Sequence, residues 1–256
     1  MSARDLAVVT RFNGRLFWRD RLALSTSVAL FLGLGIGLPF MMDRVGAGDS
    51  EFLLTQHLGV LAMVLTIATF NQTAITLTAR RDQLVLKRLR TTGLSDRAIL
   101  GGEIGNLVLQ STLLTIVTSV ALYALTGLPV PRDPALFLVA VVAGAAVLCL
   151  LGAAFTRLVP RAEVAGVVVM PFFFLAGIGA GGFGPVLQLL PGWVGTVLGL
   201  LPTGAVVEIA GAAYAADGTF AGDLRAAAVP ALQLAVWAAI GIVATARWFR
   251  WDARKP

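Results

Sequence analysis

The chain has 256 residues, 57% of them hydrophobic, and a mean hydropathy of +0.85. That is too apolar for a soluble domain whose surface must be wetted, so an integral membrane protein is expected. The net charge of +6 invites a nucleic-acid reading. The cations lie beside hydrocarbon-length runs, however, where anionic headgroups supply the counter-charge, so we expect membrane lipids and no nucleic acid as partners.

Residues 1–21 predict an interfacial elbow helix. Arg4, Arg11, Arg15 and Arg19 recur at spacings of 7, 4 and 4, while Leu6, Val9, Phe12, Leu16 and Phe17 fall on the opposite face. Such a helix lies in the headgroup plane and turns into the bilayer near Asp20 and Arg21. A plain positive-inside orientation signal is the simpler reading of the same arginines. No small-residue cleavage pattern follows the first apolar run, so retention from Met1 is expected.

Six apolar runs follow: Leu22–Met42, Leu58–Thr78, Ile104–Thr126, Ala135–Val159, Val164–Gly182 and Val229–Ala246. Each is close to the roughly 20 residues that cross about 30 Å of hydrocarbon. Seventeen of the twenty Lys and Arg residues fall on one side of this pattern, in the N-terminal segment, the second and fourth loops and the tail. Arg44, Arg132 and Arg225 fall on the other. Cytoplasmic segments hold the Lys and Arg excess, so both termini are expected inside a cell membrane. The fold expected is an all-α integral membrane protein with six transmembrane helices, in one domain spanning residues 1–256.

In the first span, Gly33 and Gly37 form a small-xxx-small pair with Gly35 between them, suited to close helix approach. The second and third spans are the polar ones. Thr66, Thr69, Thr73 and Thr76 form one helical stripe with Asn71 and Gln72 close by; Asn106, Gln110, Ser111, Thr115, Thr118 and Ser119 follow in the third. Uncharged polar groups in hydrocarbon need partners, so these faces should look inward, to interhelical hydrogen bonds or to a substrate path. No span interior carries a clear Asp, Glu, Lys or Arg, which speaks against an ion-gradient-driven carrier or channel, the alternative reading.

Residues 80–100 form the longest basic loop. Arg80 to Arg90 holds good helix formers without Gly or Pro; Gly93 suits a C-terminal cap, and Ser95 can start the helix that continues into the third span. A short basic helix of this kind is a docking element or a lipid-binding one, and charge alone does not choose. After the fifth span, Gly184, Pro185, Pro191 and Pro202 interrupt an apolar stretch. Helix breakers in apolar sequence predict short re-entrant outer helices over 183–203, with Trp193 at the interface.

Catalytic readings lack members. Walker A needs Gly-Lys followed by Ser or Thr; here Lys87 precedes Arg88 and Lys255 precedes Pro256, so this chain does not hydrolyse ATP and binds no cofactor of that kind. His57 is the sole histidine, read as an interfacial residue at an outer span end, and no metal set is apparent. Cys149 is alone, so no disulfide framework exists. Glu103, Glu163 and Glu208 lie near span or loop ends.

Together these pieces resemble the ABC type-2 exporter permeases, the membrane subunits of drug, antibiotic and polysaccharide exporters, across essentially the whole chain. The most specific match is Arg81-Asp82-Gln83 through Leu86-Lys87-Arg88-Leu89-Arg90-Thr91-Thr92-Gly93. It is similar to the family segment Arg-Glu-x-Gly-Thr-Leu-Lys-x-Leu-x-x-Thr-Pro, with Asp82 for Glu, Leu84-Val85 for Gly-Thr and Gly93 for Pro. The resemblance implies a coupling helix that docks on a separate ATPase subunit holding ATP and Mg, with Asp82, Leu86, Lys87, Arg88, Leu89, Arg90 and Thr91 as ATPase-coupling residues. It also implies a second permease copy or paralogue, with spans 1, 2 and 5 at the interface. For the cargo, Phe172, Phe173 and Phe174 with Thr66, Thr69, Thr73, Thr76 and Asn71 are the candidate pathway, suited to an amphipathic molecule.

Overall fold

The computed structural model describes residues 29, 32–44, 50–183, 189–215 and 219–251, and their regular structure is helical throughout. The expected elbow helix and the start of the first span lie outside the described residues. The end of that span is a π-helical turn, Gly33–Gly37, running into α1, Leu38–Arg44. The second span is one rod built from α2 (Ser50–Thr66), a second π-helical turn (Ile67–Asn71) and α3 (Gln72–Asp82). Then come α4 (Val85–Thr91), α5 (Asp96–Leu125), α6 (Pro134–Phe155), α7 (Ala162–Gly179), α8 (Gly192–Gly199), α9 (Pro202–Ala212) and α10 (Phe220–Trp248).

The rod Ser50–Asp82 and helices α5, α6, α7 and α10 are each long and apolar enough to cross a membrane; α8 and α9 meet at 81° and qualify only as a bent pair. Helix starts follow local chemistry. Ser95 accepts from the Ala98 amide at 3.2 Å, and Asp133 accepts from Leu136 at 3.0 Å just ahead of Pro134. Thr219 accepts from Gly222 at 3.1 Å, so α10 begins at Phe220, well before the expected Val229. Hydropathy misses those first turns because they carry Asp223 and Arg225, yet Asp223 is buried and ion-paired with Arg132. The helix then continues through Pro230.

The second span is the most enclosed of the candidate spans. Its Leu61, Leu65 and Phe70 join Val141 and Leu148 of α6, Val206 and Ile209 of α9 and Leu234 of α10 in the main apolar core. Its polar stripe and that of α5 face protein, as their chemistry requires: Thr66, Thr69, Asn71, Thr73, Asn106, Gln110, Ser111, Thr115, Thr118 and Ser119 are all buried.

At the end opposite the basic loop, the Gln56 side-chain amide donates to the Gly182 carbonyl at 2.9 Å. Gly59 is required there, since a Cβ on it would strike the backbone of residues 180–182. His57 departs from expectation. Because the helix starts at Ser50 rather than Leu58, His57 is two turns inside, buried, with its ring 6.1 Å from that of Tyr123. Among the described residues, the close approach in the first span is at Gly35, where a Cβ would strike the Thr118 side chain.

At the break between α8 and α9 the Leu201 carbonyl accepts from the Gly204 amide at 3.0 Å, and side chains of the last span supply further donors to residues 199–201. Gln233 donates to Gly199 and Leu201 at 2.9 and 3.2 Å, and the Trp237 indole donates to Leu200 at 2.8 Å. A side chain of the last span thus satisfies backbone that hydrocarbon could not.

Candidate functional site

The basic end of the bundle is organised by the last residues of α3. Arg81 is 1% exposed. Its guanidinium donates to the carbonyls of Thr156, Val159 and Pro160 at 3.2, 3.1 and 3.3 Å, and to Asp82 Oδ1 at 3.2 Å. A buried guanidinium persists only when its charge and donors are met, and the planar fork suits several oxygens at once. Asp82 Oδ2 accepts from the Ala162 amide at 2.9 Å, capping α7 from outside, since α7 has no side-chain cap of its own. Two consecutive residues therefore tie the end of the second span to the end of α6 and the start of α7. Immediately before them, Arg80 reaches the buried Glu103 of α5 at 2.7 Å.

The chain then turns at Gln83 and Leu84. Leu84 has φ +59°, and the Arg88 amide donates back to its carbonyl at 3.1 Å, opening α4. The unbroken helix expected from Arg80 to Arg90 is thus two helices at a sharp joint. Leu86 is fully buried in a small cluster with Leu77 of α3, Ile99 of α5 and Ala153 of α6, flanked by Leu89, Phe249 and Trp251. Lys87, Arg88, Arg90 and Thr91 point away and are exposed. Arg90 is held at 2.9 Å from Asp96 and lies 4.9 Å over the Trp251 ring. The Thr91 and Thr92 hydroxyls donate at 2.7 Å to the carbonyls of Arg88 and Leu89, and Gly93 at φ +85° ends the turn.

The residues grouped by the coupling expectation therefore divide. Lys87, Arg88 and Arg90 form an outward cationic face, and Thr91 shares that face while capping its own helix. Leu86 is the anchor, and Leu89 is half-buried beside it. Asp82 faces the Ala162 amide and is a brace. Glu103, expected near a span end, is the buried partner of Arg80; the bracing role of Arg81 and the Phe249–Trp251 platform were not anticipated from the sequence. The signal for Arg81 was its place at the head of the matched segment.

The candidate pathway residues divide as well. Thr66 and Thr69 donate to the carbonyls one turn earlier, Ala62 at 2.7 Å and Leu65 at 2.6 Å, and Thr76 accepts from Gln72 at 3.3 Å. Thr73 and Asn71 are buried. Phe172 packs with Phe70 and Phe155, at centroid distances of 4.7 and 4.9 Å. Phe173 is turned inward against Phe183, 6.0 Å away, and Phe174 is exposed on the outside of α7. Phe173 and Phe174 also touch each other, with centroids 5.1 Å apart, and both meet Phe183, whereas Phe172 belongs to the separate cluster with Phe70 and Phe155.

These features define a multi-pass helical membrane protein with a braced basic helix at one end. The family description "ABC-2 family transporter protein" matches residues 46–247, and the chain belongs to that family. A comparison with curated proteins returns no match. Members of this family are membrane transport components and are not themselves the ATPase.

Proposed function

We propose that this chain is the permease subunit of an ATP-driven exporter, acting with a second copy or a paralogue and with ATPase subunits that carry the ATP and Mg. The observation that carries this reading is α4. It is short and cationic on its exposed side, and its buried side is locked by Leu86 onto the second, third and fourth spans at once. A partner pressing on Lys87, Arg88 and Arg90 would move those helix ends together. Coupling of this kind needs an element whose position both nucleotide and cargo bias, and α4 is built as one. The Lys and Arg excess in the sequence supports a cytoplasmic α4 and cytoplasmic termini.

The exposed Val164, Val167, Met170 and Phe174 of α7 offer an apolar strip for the second permease. The enclosed second span has less surface to give. The cargo we propose is amphipathic: a small drug or antibiotic, a lipid, or a polysaccharide-like molecule. In this reading the exposed Phe174 meets the cargo, while the hydrogen-bonded threonines and Phe172 pack within the bundle.

The test is charge reversal on the exposed face alone. Lys87→Glu with Arg88→Glu in the reconstituted complex should abolish both ATPase stimulation and export while the permease keeps its melting temperature. Retention of both activities would refute docking on α4. An external location of Lys87 by membrane-impermeant amine labelling would refute the orientation.

A further inference from the structure

A cavity of about 560 Å³ lies between α7 and α10, with α6 behind it. Its rim is exposed and apolar, formed by Leu158, Leu175, Ile240 and Trp248; its floor, with Leu148, Ala154 and Ala244, is buried. Two polar side chains of its wall already have partners, since Thr66 donates to Ala62 and Trp237 to Leu200, and most of the remaining lining is apolar. The groove therefore asks for an apolar occupant, and among the described residues it opens sideways, where hydrocarbon would be.

Length and charge identify that occupant. Along α6 and the turn that follows it the lining runs from Leu148 to Leu158, and along α10 from Trp237 to Trp248. Ten residues of helix rise about 15 Å, half of the roughly 30 Å hydrocarbon thickness. One end of the groove lies beside the α8–α9 break, deep in the bundle. The other opens at the basic end between Arg157 and Trp248, an arginine and an exposed tryptophan suited to the headgroup level. Arg161 and Arg247, both exposed, sit at the neighbouring helix ends. Arg157 makes a contact within the chain, and five N–H donors allow it a phosphate as well.

We propose that this groove is a phospholipid site: one acyl chain of an anionic phospholipid, from the leaflet at the basic end, lies along α6 and α10 with its phosphate on Arg157. The proposal rests on membrane insertion and not on the ATPase partner, so it can fail while the permease reading stands.

The test uses the full-length purified permease in mixed micelles with phosphatidylglycerol carrying a mid-chain diazirine, and the phosphatidylcholine analogue as comparison. Photolabel from phosphatidylglycerol is expected on peptides covering 148–158 and 237–248. Leu175→Trp on the exposed rim and Ala244→Leu on the floor should each cut that label severalfold, whereas Val243→Trp, exposed but outside the groove, should not. Arg157→Gln should lower phosphatidylglycerol labelling about fivefold with little change for phosphatidylcholine, and Arg157→Lys should restore it. Label spread evenly over the exposed faces of α5 and α10, or insensitive to both groove-filling changes, would overturn the site. Equal labelling by the two lipids, unmoved by Arg157→Gln, would overturn the anionic headgroup. Because Leu175 is already solvent-facing, its variant keeps the test decisive if Ala244→Leu fails to fold.

Discussion

Leu84 occupies a backbone conformation that costs an L side chain about 1–2 kcal/mol, at φ +59° with its side chain largely exposed. The family segment it matches has glycine at this step, and the joint between α3 and α4 supplies the reason. Glycine takes a positive φ without strain. Leu84→Gly should therefore stabilise the protein by about 1 kcal/mol, after allowing for the greater freedom of glycine in the unfolded chain. A thermal melt in detergent reads this directly, and a lowered midpoint would mean that the leucine side chain contributes packing there. Arg81 shows the opposite relation between charge and place. It sits next to Arg80 in a basic loop, yet every bond it makes is internal.

At the scale of the element, α4 stands on one side chain. Leu86 fills a pocket shared by three spans, and truncation of a buried leucine costs about 2–5 kcal/mol. Leu86→Ala should loosen α4, seen as faster amide exchange over residues 85–91, and should depress ATPase stimulation although the cationic face is untouched. Unchanged exchange over those residues would show that the helix is held by Arg90 and its contacts to Asp96 and Trp251. Much of this was legible beforehand. Span positions follow from runs of apolar residues, a one-dimensional property. Ser95 announced a cap, and the polar stripes of the second and third spans had to face protein. Three things were not legible. A leucine in place of glycine hid the turn at 83–84, because no turn former marks it. The partners of Arg81 lie 75 or more positions away and are backbone carbonyls, which carry no sequence signature. His57 was misplaced for a related reason: polar Ser50, Glu51 and Gln56 disguised two turns of helix.

For the whole molecule, the two ends of the bundle are held in different ways. At the basic end, Arg81 and Asp82 join the second, fourth and fifth spans into one block, and Arg80 with Glu103 adds the third. At the other end, the second and fifth spans meet backbone to backbone at Gly59 and Gly182. Between these fixed points the second span contains the π-helical turn Ile67–Asn71, where the regular ladder is interrupted and a rod can bend.

The grip of Arg81 on main-chain oxygens has a consequence for how the 156–160 stretch can vary. Such a grip is blind to side-chain identity but measures chain length. Replacing Leu158 with serine should leave the melting temperature nearly unchanged. Inserting a single glycine after Leu158 should shift Val159 and Pro160 out of register and release the guanidinium into an apolar setting, at a cost of about 3 kcal/mol or more. A scan pairing substitutions at the exposed position 158 with one-residue insertions would separate the two cases, and homologous chains should keep the same count across this stretch even where position 158 varies.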